Sequence, residues 1–350
     1  MDPETILDIF NNDLFSSTSL TSAISIVPNS YGRIRELGIF AEEGVPTTSV
    51  AISRENDTLN LLPMRPRGGP ASVGTRAGAD ARPFMIPHIP HDDAVLAVDV
   101  QNRVSLAPAR GLQSVQDMVN KKLITIRNKH AITLEHMRAY ALQGLIVDYD
   151  GTVVTNLFTE FGVTEKVVDF AFTTGTTDVL SVLRGVSGYM EDNLEGEVMT
   201  GLLALCSPEW MDQLLSHPTI KEAYKYYAKE QDPITQDLRR RFVYAGIVFE
   251  EYRGVATKLN EDGSKTSRRF IPANTARFVP LGTQDVFRTY FAPPDFVDAA
   301  NVAPPTGQEQ QVFVAPLERM KFGKGVEMHT ESNPLPMVKR PKLLVKATMS

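Results

Sequence analysis

The residues most suggestive of chemistry are two carboxylates one position apart, in Leu145-Ile-Val-Asp148-Tyr149-Asp150-Gly151-Thr152. Two acids delivered to a turn by an apolar run are residue types that could serve nucleophilic or acid–base chemistry. His88-Ile-Pro-His91-Asp92-Asp93 offers metal-ligand types, but Pro87 and Pro90 make it an extended loop with no further His or Cys near it, so a solvated loop is favoured. His130 lies on an apolar helical face and reads as a core residue. Gly185-Val-Ser-Gly-Tyr189 lacks the final glycine of a nucleophile elbow, and no glycine loop runs into Lys-Ser or Lys-Thr. No catalytic, cofactor-binding or metal residue is therefore assigned.

The Asp148–Asp150 motif resembles the first motif of haloacid-dehalogenase-type phosphatases, and that resemblance implies a magnesium-dependent phosphatase as the alternative function, with Asp148 as nucleophile, Asp150 as general acid/base and both holding magnesium. Three features favour a plain hairpin. A long helix precedes the motif where that family opens a parallel α/β domain, alternating Thr152-Val-Val-Thr-Asn-Leu-Phe follows it in place of a helix, and no later Gly-Asp pair supplies further magnesium carboxylates. Asp150-Gly151 between alternating segments is itself a strong hairpin signal.

Cationic chemistry is concentrated in Met64–Pro90. This stretch holds Arg65, Arg67, Arg76 and Arg82 against one acid, Asp80, with five prolines and four glycines. Prolines remove backbone donors and glycines raise the entropy cost of ordering, so the stretch predicts an irregular segment. Connections in compact domains run about 4–6 residues, so one this long is functional or disordered. Arginine's planar fork suits carboxylates at protein interfaces, and contact with a partner is the favoured reading. Lys339, Arg340, Lys342 and Lys346 form a second basic group, explained equally by an acidic or phosphate partner and by a solvated edge. A nucleic-acid-binding module is a third reading, opposed by the net charge of -6.

The elements that must carry these residues follow from pattern. The chain of 350 residues is 42% hydrophobic and 22% charged, an ordinary globular composition that excludes disorder throughout. Cys206 is the single cysteine, so no intrachain disulfide forms and a reducing compartment fits. The N-terminus lacks a signal-peptide pattern and no run reaches about 18 apolar residues, so the chain reads as soluble with no membrane partner. Thr47–Leu62 and Ala94–Val104 read as strands flanking the irregular segment, a long two-stranded excursion. Apolar residues at spacings of three, four or one predict a helix over Leu112–Gln143, ended by Gly144 and spanning roughly 48 Å. A helix is expected at Thr176–Ser187, one or two helices over Pro208–Tyr227, and strands at Val198–Leu205, Phe242–Tyr252, Arg269–Leu281, Gln311–Val314 and Leu343–Thr348. The window Tyr189–Asp237 carries ten acids and three lysines, a net of -7, and reads as a separate acidic module.

The order of these parts resembles the lambda-type major capsid proteins of tailed bacteriophages, the phage major capsid protein E family, with the fold named after phage Hong Kong 97. The matching pieces are Arg65-Pro-Arg-Gly-Gly69, Arg269-Phe-Ile-Pro-Ala-Asn-Thr275, Leu281-Gly-Thr-Gln284 with Arg288-Thr-Tyr290, and Glu327-Met328 to Pro334-Leu-Pro336. The resemblance implies an α+β Hong Kong 97-like fold: residues 1–40 as N-terminal arm, 41–108 as extended loop, 109–172 with 291–350 as peripheral domain bearing the long spine helix, and 173–290 as axial domain. It implies a non-enzymatic head protein that self-assembles as hexamers and pentamers into an icosahedral shell around packaged DNA. The expected partners are further copies of itself, a scaffold, a portal, a decoration protein, and DNA bound without sequence specificity. The expected location is the virion, assembled in the host cytoplasm. Arg65, Arg67, Arg76 and Arg82 are the expected intersubunit contacts.

Overall fold

The structure is a computed structural model that describes residues 32–54, 80–101, 111–194, 196–227, 241–259, 262–297, 312–315 and 317–349. The described chain mixes helices with sheets and falls into two compact units. One is formed by residues 1–51, 83–135 and 288–336, the other by 52–82, 136–287 and 337–350. Residues 109–172 and 291–350 each fall partly in one unit and partly in the other. The closing strand Val345–Thr348 explains one cut, since it pairs with Thr275–Leu281 and with Lys166–Asp169 in the second unit.

The second unit is built on a mixed six-stranded sheet, ordered Lys166–Asp169, Val345–Thr348, Thr275–Leu281, Gly201–Cys206, Ile247–Glu251, Phe242–Tyr244. Gly201–Cys206 sits between two partners, and its apolar residues 202–206 are all buried, as a strand covered on both faces requires. The helices Val179–Asp192 and Pro208–Ser216 add Leu183, Val186, Met190, Trp210 and Leu214 to the same core. Trp210 is its centre, with ring centroids 5.1 Å from Phe170, 5.2 Å from Phe172 and 6.1 Å from Phe249. Local chemistry fixes the helix starts: the Asp178 side chain accepts from the Ser181 N–H, and Ser207 accepts from Trp210 N–H with Pro208 opening the helix. Of the one or two helices expected over Pro208–Tyr227 there are two, because Pro218 begins a new one after extended His217. The strand expected over Phe242–Tyr252 is a hairpin, turned at Ala245 and Gly246, which both take positive φ.

The first unit carries a four-stranded sheet in which Gly325–Ser332 pairs antiparallel with Ile89–Leu96 over eight residues. Against it lies the long helix, Gly111–Ala141, whose 31 residues span roughly 46 Å. Only its part up to Glu135 belongs to this unit. Val119, Leu123 and Ile126 of the helix meet Val95 and Met328 of the sheet. The helix ends as expected, with Gly144 at φ +75° donating its N–H to the Ala141 carbonyl.

The strand expected over Ala94–Val104 ends at Leu96, and Ala97–Gln101 is helical. Its first N–H is taken by the Lys324 carbonyl, while the Asp99 side chain accepts from the Leu96 N–H. The partner of Ser49–Arg54 is therefore not Ala94–Val104 but Asp80–Met85, inside the stretch expected to be irregular. Pro83 removes one backbone donor from this two-stranded pair.

Candidate assembly surface

The two carboxylates of the sequence motif lie on a hairpin. Leu145–Val147 pairs antiparallel with Val153–Asn156, and the turn closes through Asp148 N–H to the Thr152 carbonyl and Gly151 N–H to the Asp148 carbonyl, both 2.9 Å. Asp150 accepts from the Thr152 N–H at 2.8 Å, and bonds to the Thr152 side chain and backbone hold its carboxyl below the usual range. Asp148 accepts from the Tyr149 N–H at 2.7 Å. Both acids are thus turn formers on an antiparallel pair, not paired groups at the end of a parallel strand. The phosphatase alternative is corrected accordingly: the alternation of Thr152–Asn156 decided the local fold. No group of three His, Cys, Asp or Glu side chains able to hold a metal occurs among the described residues.

The His-Ile-Pro-His-Asp-Asp motif lies in a strand whose two faces divide its side chains. On the helix side, His91 sits 3.0 Å from Lys129 Nζ, and Lys122 donates to Asp93 at 2.7 Å. The partner strand adds Thr330, which donates to the His91 carbonyl and meets His130 Nε2 at 3.2 Å. Burial first, then His91, Arg127 and Lys129, push the His130 pKa down to about 4. His130 is therefore a neutral, hydrogen-bonded core residue, as its helical position predicts.

On the opposite face Asp92 stands directly across from His329, whose Nδ1 lies 2.5 Å from the Asp92 carboxylate. His329 Nε2 reaches Glu331 at 2.8 Å. Burial alone would lower the His329 pKa, but its bonds to Asp92 and Glu331 outweigh burial and raise it. Glu331 is 2% exposed and also accepts the Asp295 N–H at 2.7 Å. Asn333 accepts the Ile89 N–H at 3.2 Å and donates to the Pro293 carbonyl at 2.9 Å. These residues tie three separate stretches of chain into one polar knot. Nothing in the sequence marks Glu331 and Asn333 for this role, because, His329 apart, their partners lie from 36 to 245 positions away.

Of the four loop arginines, Arg65, Arg67 and Arg76 lie outside the described residues. Arg82 is half-buried in the strand Asp80–Met85, and its Nη1 lies 3.5 Å from Glu160 of the same unit. The tail cations are engaged in place: Lys339 binds Asp285 at 2.7 Å and Arg340 donates to the Leu194 carbonyl. Lys339 and Arg340 thus serve as internal ties within their unit.

The family model for phage major capsid protein E matches residues 16–349. The chain belongs to that family. It is 32% identical over 347 residues to the major capsid protein of Pseudomonas phage KPP10, covering 95% of this chain and 96% of that one. It is 25% identical to the major capsid protein of Salmonella phage Felix O1, with 95% of each covered. A crystal structure of a phage-related protein from Bordetella bronchiseptica superposes with a TM-score of 0.50 at 13% identity, covering 94% of this chain and 96% of that one, which speaks to the fold. The fold of this family member is the α+β, Hong Kong 97-like capsid fold, and the chain is a structural component of the virion.

Proposed function

We propose that this major capsid chain builds the head by repeated contacts between copies, arranged as hexamers and pentamers, to enclose packaged DNA. Family membership across residues 16–349 carries this reading. The segment roles follow from it: 1–40 as arm, 41–108 as extended loop, 109–172 with 291–350 as peripheral region, and 173–290 as axial region. The four arginines Arg65, Arg67, Arg76 and Arg82 supply cationic contacts to acidic surfaces of neighbouring copies. An extended segment of this composition offsets its ordering entropy by burial against a neighbour, and a closed shell repeats that gain at each copy. A scaffold, a portal and a decoration protein act as assembly partners, and DNA contacts the inner surface without sequence reading. Assembly takes place in the host cytoplasm.

Electron microscopy of the expressed protein, alone and with its scaffold, tests this. Closed icosahedral particles are expected, and their loss is expected when the four arginines become glutamates. A chain that stays monomeric in every condition contradicts the proposal, while intact shells in the four-arginine variant contradict the arginine assignment alone.

A further inference from the structure

His329 stands between two carboxylates, and both of its ring nitrogens are committed. Nδ1 lies 2.5 Å from Asp92 Oδ1 on the neighbouring strand, and Nε2 lies 2.8 Å from Glu331 Oε1 on its own strand. An ionised carboxylate only accepts hydrogen bonds, so both nitrogens must carry hydrogen for both contacts to hold. A neutral imidazole has a single N–H. On losing its proton, His329 must therefore leave one carboxylate facing a bare nitrogen.

The surroundings decide which contact is lost. The Glu331 side chain is 2% exposed and is fixed by the Asp295 N–H at 2.7 Å, with His88 Nδ1 3.7 Å away. The Asp92 side chain is 82% exposed, so water replaces its lost partner at little cost. The neutral ring accordingly keeps its hydrogen on Nε2, the Nδ1 proton passes to solvent, and Asp92 turns outward. Neighbouring strand positions on this face offer no replacement cation: Glu327 lies two residues before His329 with Glu318 opposite it, and Phe313 lies opposite Glu331. Lys122 and Lys129 belong to the helix side, where they meet Asp93 and His91.

We propose that Asp92 and His329 form a proton-operated latch: the imidazolium clamps Ile89–Leu96 to Gly325–Ser332, and loss of its Nδ1 proton frees the strand Ile89–Leu96 to open locally. Among the described residues Ile89–Leu96 pairs only with Gly325–Ser332, so it is the strand with least to hold it once a cross-strand tie is gone. Burial lowers the His329 pKa, but the bonds to Asp92 and Glu331 outweigh burial and raise it above 6.5. The latch is thus closed on the acid side and opens as pH rises through the folded-state value.

Hydrogen exchange of the full-length dispersed subunit, read as protection factors from about pH 6 to about pH 9, tests the assignment. Protection of Ile89–Leu96 should fall about tenfold in a one-proton step, with a midpoint matching the His329 ring titration followed by NMR. Gly201–Cys206 should keep its protection throughout. His329→Gln should give low protection without the step. Asp92→Asn should give high protection without it, since an amide accepts from an imidazole N–H and donates to a bare ring nitrogen. Absence of the step in the unmodified protein, its survival in His329→Gln, a midpoint unlike that of the ring, or an equal loss in Gly201–Cys206 overturns the proposal. Should His329→Gln fail to fold, Asp92→Asn carries the test on an exposed side chain, and a step that survives it overturns the latch as well.

Discussion

The two units bury their interiors by different means. The six-stranded unit packs Trp210, Phe170, Phe172, Phe249 and Phe278 against one another, with little polar content at its centre. The other unit places Thr330, His130, Glu331 and Asn333 between its helix, sheet and loop. Aromatic packing is non-directional and tolerates small displacement. Buried polar groups demand particular partners, and each lost partner costs the full desolvation of the one left behind. The six-stranded unit is held chiefly by apolar burial, while the other also depends on polar contacts that protonation can undo.

The largest effect that would sharpen this contrast is Trp210→Ala. Removing the centre of the aromatic cluster is expected to cost about 4 kcal/mol in urea unfolding, with hydrogen exchange accelerated first in Gly201–Cys206 and Thr275–Leu281. If Gly325–Ser332 accelerates first instead, the division into separately supported interiors is wrong.

Acid should strike the polar unit. His130 is held neutral with a pKa of about 4 against an ordinary 6.5. Between those values the unfolded chain binds a proton that the folded chain refuses, so stability falls as pH drops through this window, by roughly 3 kcal/mol at its lower end. His130→Gln should flatten that part of the pH–stability curve, and a slope that survives the substitution assigns acid sensitivity elsewhere. His329 acts in the opposite sense: its raised pKa contributes stability below 6.5 that is lost as pH rises through the folded-state value.

A smaller loss is expected from Glu331→Gln, which keeps shape but removes charge from the bonds to His329 and the Asp295 N–H. About 2 kcal/mol should disappear, with the raised His329 pKa returning toward the ordinary value by NMR titration. The smallest effect belongs to Asp148→Asn on the hairpin. Stability should stay within about 0.5 kcal/mol, and phosphatase assays with magnesium should not distinguish the variant from the unmodified chain.

How much of this was legible depends on the range of the interaction that decides each feature. The long helix and its end at Gly144 were readable because periodicity and a glycine able to take φ +75° are local signals. The Asp150-Gly151 and Asp262-Gly263 turns were readable for the same reason, the latter closing a hairpin between Val255–Leu259 and Lys265–Arg269. The order of parts also pointed to the family. Strand partners were not readable: Asp80–Met85 took the place expected of Ala94–Val104, and pairing is chosen by tertiary contacts. The polar knot was hidden because Glu331 and Asn333 look like ordinary surface residues until distant segments meet them.

The most direct test of the account is hydrogen exchange by mass spectrometry on dispersed subunits and on assembled particles of the same protein. The account predicts that Gly201–Cys206 and Thr275–Leu281 exchange slowly in both states, while Ile89–Leu96, Gly325–Ser332 and the arginine segment 64–82 slow markedly on assembly. Equal protection of those polar-unit segments before and after assembly would contradict it.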